Sequence, residues 1–170
     1  MASEFNARLS PRVKATTALG TVVLLGEAAL LLGLANRVPS PVSGLFLVVG
    51  TSLVLLFAGI ALLAIRGYAL ELGQLRVARP LWSTTHSLAG LESAVRDPQS
   101  LRFTVRGFGN NGFFALNGWR VVEPYGWCRV LATDPENAVV LRAASGTYIV
   151  TPDRPDEFVQ QALALAKSAG

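Results

Sequence analysis

The chain has little of what most enzyme chemistry needs. Its 170 residues include one cysteine, Cys128, one histidine, His86, and one methionine, and only 15% of them are charged. A lone cysteine rules out an internal disulfide, which suits a reducing compartment. One cysteine beside one histidine cannot build the usual zinc sets, which draw several ligands from these two residue types. No metal is expected, and no cofactor. There is no G-x-S-x-G motif, no phosphate loop and no paired carboxylates in a cleft setting. A Cys128–His86 pair lacks any group to orient the imidazole. No catalytic residue is expected, and Cys128, between Trp127 and Arg129, is read as a small buried strand residue.

The shortage of charge is uneven. A soluble domain usually carries about a quarter charged residues, whereas residues 15–35 (ATTALGTVVLLGEAALLLGLA) hold one charge, Glu27, and residues 42–65 (VSGLFLVVGTSLVLLFAGIALLAI) hold none. Each run reaches the ~20 residues that carry a helix across ~30 Å of hydrocarbon. Backbone groups in lipid must be satisfied within the segment, so two transmembrane helices are expected. Gly33-Leu34-Ala35 resembles a signal-peptide cleavage site, but the apolar run exceeds the ~7–15 residues of such a peptide.

Net charge is +4, and its location argues against nucleic acid. Residues 66–170 hold eleven basic and nine acidic groups, a net of +2, and residues 1–14 add +2. That is a spread, without the clustering on one face that a nucleic-acid groove requires. Arg8, Arg12 and Lys14 precede the first span, and Arg66, Arg76 and Arg79 follow the second. The connector 36–41 (NRVPSP) carries only Arg37. The positive-inside rule then places both termini in the cytoplasm and the connector on the far side of the inner membrane. The expected organisation is a basic tail 1–14, helices 15–35 and 42–65 joined by the turn 36–41, and a cytoplasmic domain 67–170.

Beyond Tyr68 the apolar period becomes two. Leu70, Leu72, Leu75 and Val77 suggest a hairpin turning at Gly73-Gln74. LRFTVR at 101–106 alternates cleanly, with Arg102, Thr104 and Arg106 on the outer face. Further strands are expected near 88–95, 113–121, 127–133, 139–143 and 147–151, with turns at Asp97-Pro98, Asn117-Gly118, 134–137 and Ser145-Gly146. The chain closes with an amphipathic helix: Asp153 as cap, Pro155 in the first turn, and Phe158, Ala162, Leu165 and Ala166 on one face. About seven antiparallel strands and a closing helix make an α+β arrangement, in which the helix must bury its stripe on a sheet or barrel mouth.

The runs YALELGQLRVARPL, HSLAGLESA, RGFGNNGFFALNGW, YGWCRVLATD and GTYIVTPDRPDEFVQQAL resemble the bacterial pleckstrin-homology-like (PH-like) domains across residues 67–165. The resemblance implies a PH-like β-sandwich or barrel with a C-terminal capping helix, often preceded by a hydrophobic hairpin. It also implies a shaped β-corner at Gly107, Gly109 and Gly112. Those glycines match G-x-G-x-x-G, yet FFALNGWRVV follows them with no helical period, and no acidic residue stands about twenty positions on in a parallel strand. A nucleotide site is not expected. Phosphoinositide-binding members place basic residues around the first hairpin turn, whereas this turn, at Leu72-Gly73-Gln74-Leu75, is uncharged.

Three readings of function remain at this level. Glu27 lies ~18 Å into its span, level with Thr51 and Ser52 of the antiparallel helix. It must face a partner, because a carboxyl group is expensive against lipid. That partner is Ser52 or Thr51 within the hairpin, or a polar group on a neighbouring integral membrane protein, and proton or ion handling is a third use. The leading expectation is a non-enzymatic accessory or scaffold subunit of a membrane complex. The alternative is a lipid-headgroup or stress sensor using Arg102 and Arg106 on anionic headgroups. Tyr68, Trp82, Trp119, Tyr125 and Trp127 suit either core or membrane-interface positions.

Overall fold

The computed structural model describes residues 3–71, 73–102, 104–105 and 109–169. The chain opens with a strand, β1 (Ser3–Asn6), followed by the long helices α1 (Pro11–Ala35) and α2 (Val42–Leu62). Helix α1 begins four residues ahead of the apolar run because Ser10-Pro11 supplies both a cap and a first-turn proline. The Ser10 hydroxyl accepts the Val13 N–H at 3.3 Å. The helices meet at Gly50, where a Cβ would lie 2.9 Å from Leu32 Cγ and 3.3 Å from the Ala28 carbonyl. Only glycine permits that approach. Gly50 is the one buried residue of α2, and both helices are long and apolar enough to cross a bilayer. Their leucine and valine surfaces face outward, as a membrane-associating pair requires.

Helix α2 stops at Leu62, short of residue 65, because the chain must turn at once into the next strand. The Arg79 guanidinium donates to the Leu63 carbonyl there, satisfying the helix end and complementing its dipole.

Next come β2 (Gly67–Glu71), β3 (Gln74–Ala78), β4 (Ser83–Ser87), β5 (Ser93–Arg96), β6 (Thr104–Val105) and β7 (Gly109–Phe113). They are followed by β8 (Ala115–Val122), β9 (Gly126–Ala132), β10 (Val139–Ala143), β11 (Gly146–Val150) and the helix α3 (Pro155–Ala169). One sheet runs β1-β2-β3-β4. The other runs β5-β10-β11-β9-β8-β6, with β7 hairpinned onto β8. Two sheets and a C-terminal helix behind two apolar helices give the expected α+β, PH-like architecture. The described strands number more than the seven expected, and β11 pairs β9 in parallel rather than antiparallel.

Alternation places the core. Tyr68, Leu70, Leu75 and Val77 of the first sheet face Leu131, Val139, Leu141 and Val150 of the second, and α3 closes the end with Phe158 and Ala162. The opposite face of the second sheet buries Val122, Cys128, Val130, Val140 and Ile149 beneath Leu101 and Tyr125. Its central strands are thus apolar on both sides. The Tyr68 hydroxyl ties the sheets together, donating to the Leu131 carbonyl at 2.7 Å beside Thr151 Oγ1 at 3.3 Å.

Several expectations give way. Within the basic tail 1–14, residues 3–6 form a strand that the sequence did not suggest: β1 pairs β2 with Phe5 opposite Tyr68, and the Phe5 and Phe158 rings meet edge-on at 5.0 Å. Four residues with one aromatic are too short to show a period. Asp153 does not cap α3, because its carboxylate accepts the Asn6 N–H at 3.1 Å and its own N–H donates to the Asn6 carbonyl. Of the expected 101–106 strand, Thr104 and Val105 form β6, Leu101 and Arg102 lie in a turn that Asp97 Oδ1 helps to set by accepting the N–H groups of Gln99 and Ser100, and residues 103 and 106 lie outside the described residues. Of the 88–95 strand only residues 93–95 are strand, within β5, and residues 88–92 are a loop leading to it. Asn117-Gly118 lies inside β8, where pairing on both sides overrides its turn preference.

Candidate functional site

The surface that joins domain to helices is built by two hairpin turns. At the β3–β4 turn the Arg79 N–H donates to the Trp82 carbonyl at 2.8 Å. Leu81 and Trp82 stand there 75% and 41% exposed, next to the end of α2 that Arg79 caps. At the β7–β8 turn Phe113 pairs across to Ala115, leaving Phe114 at the tip. Phe114 has φ 62°, in the left-handed region that bulky residues avoid. Contacts with the helices hold it there. Its N–H donates to Thr17 Oγ1 of α1 at 2.9 Å, and Phe57 of α2 lies 5.8 Å from its ring and 6.4 Å from that of Phe113. Phe113 fills the space above Gly20, where a Cβ would sit 1.9 Å from Phe113 Cε2.

The glycine corner is therefore displaced. Gly109 and Gly112 belong to strand β7, and the reversal is made by Phe114 instead. Gly107 and Arg106 lie outside the described residues. Arg102 is exposed, but in the turn closed by its own N–H bonding to the Gln99 carbonyl, not on a strand face. The two arginines are not shown to share a surface.

Glu27 is exposed on α1. Its neighbour Ala28 is the residue buried against α2, which turns Glu27 about 100° away from the seam. Thr51 and Ser52 are exposed as well, and the Ser52 hydroxyl donates to the Val48 carbonyl of its own helix at 2.7 Å. The expected hydrogen bond within the hairpin is not formed. On the side of α1 away from α2, a Cβ on Gly26 or Gly33 would meet nothing within 4 Å.

His86 and Cys128 are separated by the second sheet. His86 faces the inter-sheet core with its ring 5.2 Å from Tyr148, and Cys128 is buried in the cluster on the far face. Burial pushes the Cys128 thiol up to about 11, opposite to what a nucleophile needs. Burial, then Arg129 and Arg79, hold His86 below its ordinary value, and its buried Nε2 has no hydrogen-bond partner among the described residues. Among the described residues no group of His, Cys, Asp and Glu could hold a metal. The aromatic residues divide. Tyr68 is core, and the Tyr125 hydroxyl donates to Asp97 Oδ2 at 2.9 Å. Trp119 stays 46% exposed with the Arg129 guanidinium 5.6 Å from its ring, and Trp127 is exposed too.

A sequence model of the bacterial PH domain matches residues 66–165. The chain belongs to that family. No curated protein and no solved structure matches it. The matched stretch of this bacterial PH domain begins at Arg66, so β1 and the helical hairpin lie outside it. Sequence reasoning missed the docking of the β7–β8 tip on those helices. Its only trace is the Phe113-Phe114 pair, which reads equally as filler for a corner.

Proposed function

We propose that this bacterial PH domain protein is a non-enzymatic accessory or scaffold subunit, held to the inner membrane by α1 and α2 and bound to a neighbouring integral membrane protein. One observation carries the reading: Glu27 stands exposed in the middle of an apolar helix with no described partner in its own hairpin. A carboxyl group so placed is costly against lipid and is relieved by a donor or a cation on another helix. Gly26 and Gly33, on the side of α1 turned away from the Ala28 seam, leave room there for a neighbouring helix. Ion handling has less support, because the nearest polar side chain at that depth, Ser52, spends its hydroxyl on Val48.

Purification of the tagged full-length protein in mild detergent, with mass spectrometry of what remains attached, tests the reading. Stoichiometric recovery of particular membrane proteins, lost in Glu27→Leu and weakened in Glu27→Gln, is the expected result. A protein that purifies alone in the wild-type form would remove the accessory-subunit reading and favour headgroup binding by the domain.

A further inference from the structure

The two hairpin turns against α1 and α2 can be placed in depth. Helix α2, Val42–Leu62, has 21 residues, about 31 Å at 1.5 Å each, which matches the ~30 Å hydrocarbon layer end to end. Phe57 is five residues inside Leu62, hence about 8 Å past the boundary. The Phe113 and Phe114 rings pack on Phe57, and the Phe114 N–H reaches Thr17. The β7–β8 tip therefore lies at that same depth. Raising it into water would lift Phe57 as well and leave α2 about 15 residues, or ~22 Å, too short to span.

Three further residues fall into register. Arg79 bonds the Leu63 carbonyl, so the β3–β4 turn with exposed Leu81 and Trp82 lies at the boundary itself. Trp119, on β8, is five residues from Phe114, about 16 Å at ~3.3 Å per residue. A β8 that rises from the tip along the bilayer normal would carry Trp119 into the headgroup layer, where indole rings concentrate. Arg129 over its ring places a cation at the level of lipid phosphates.

We propose that the domain is embedded in the near leaflet of a phospholipid bilayer by these two hairpins. Phe113 and Phe114 lie among acyl chains beside the helices, Leu81 and Trp82 at the hydrocarbon boundary, and Trp119 with Arg129 among the headgroups. The inference rests on α1 and α2 spanning the membrane and deepens that reading, because it makes the lipid a ligand of the domain as well as of its anchor.

Tryptophan quenching in phosphatidylcholine vesicles with brominated chains provides the test, on the full-length chain. Trp119→Phe with Trp127→Phe leaves native Trp82 as reporter and both tips unaltered. Phe114→Trp, made with all three native tryptophans changed to Phe, reports on the tip, and Leu55→Trp in the same background reports on the helices. Phe114→Trp should be quenched as strongly as Leu55→Trp and be shielded from aqueous acrylamide. Trp82 should be quenched more by bromines near the glycerol end of the chains than by bromines near the methyl end. Quenching of Leu55→Trp alone, with Trp82 and Phe114→Trp open to acrylamide, would overturn the proposal and leave the helices in the bilayer. An unquenched Leu55→Trp would overturn the spanning reading and the proposal together.

Discussion

Gly20 and Gly26 lie six residues apart on one helix, yet they should respond to alanine in opposite ways. Alanine is favoured over glycine inside a helix by about 1 kcal/mol. At Gly26 nothing opposes that gain, since a Cβ there meets nothing within 4 Å. At Gly20 the new methyl would stand 1.9 Å from Phe113 Cε2, and overpacking of that kind costs about 1–3 kcal/mol. Gly20→Ala should lower the thermal unfolding midpoint in detergent and Gly26→Ala should leave it level or raised. Tyr68 offers a second residue-scale test. Burial raises its hydroxyl from 10.0 to about 12, so the folded state holds the proton more tightly than the unfolded chain. That stability is complete below pH 10 and is lost as the pH rises through 12, on the order of 3 kcal/mol in all. Cys128, raised from 9.0 to about 11, acts in the same direction from a lower pH. Tyr68→Phe should be less stable at neutral pH by about 1–2 kcal/mol, because Thr151 and Leu131 lose a partner. The variant should also lose less stability than the wild type between pH 10 and 12 in denaturant titrations.

Among elements, β1 changes the account of the fold most. It covers the outer edge of β2, and unpaired strand edges recruit other chains. Phe5 anchors it between Tyr68 and Phe158, with the Arg154 guanidinium 5.1 Å from its ring. Truncating a buried phenylalanine costs about 3–5 kcal/mol. Phe5→Ala should release the strand, seen as faster amide hydrogen exchange along β2 and as aggregation; unchanged exchange would mean that β1 is held by its backbone alone. The strands that were legible beforehand, β2, β3, β8, β9, β10 and β11, either alternate or form buried apolar runs, most of them bounded by Gly, Pro or Asp. The illegible ones depend on distant partners. Phe5 finds its place through residues at 68 and 158, and Phe114 through Thr17, 97 positions away. Asp153 looked like a cap locally and was claimed by Asn6 from the other end of the chain. Of the site, Glu27 was legible because one acid in an apolar run breaks composition, whereas its orientation depends on which neighbour meets α2.

At the scale of the molecule, domain and helices are fastened at several points that leave little freedom of orientation. The Ser10 N–H donates to the Thr133 carbonyl at 3.1 Å, Arg79 holds the end of α2, and Phe113 and Phe114 grip Thr17, Gly20 and Phe57. With α1 and α2 read as membrane spans, the side on which their connector lies decides the side on which the domain lies. Basic residues cluster at the domain end of the pair, and Arg37 alone marks the other end. From this bias in Lys and Arg we propose that the connector lies outward and the domain on the cytoplasmic side. Cys128 is buried and makes a quiet background once changed to Ser. In that background Ser40→Cys, exposed in the connector, should react with a membrane-impermeant maleimide added to intact cells. Glu136→Cys, exposed on the domain, should react only after permeabilisation. The reverse pattern would place the domain outside, with Arg66, Arg76 and Arg79 standing against the charge rule.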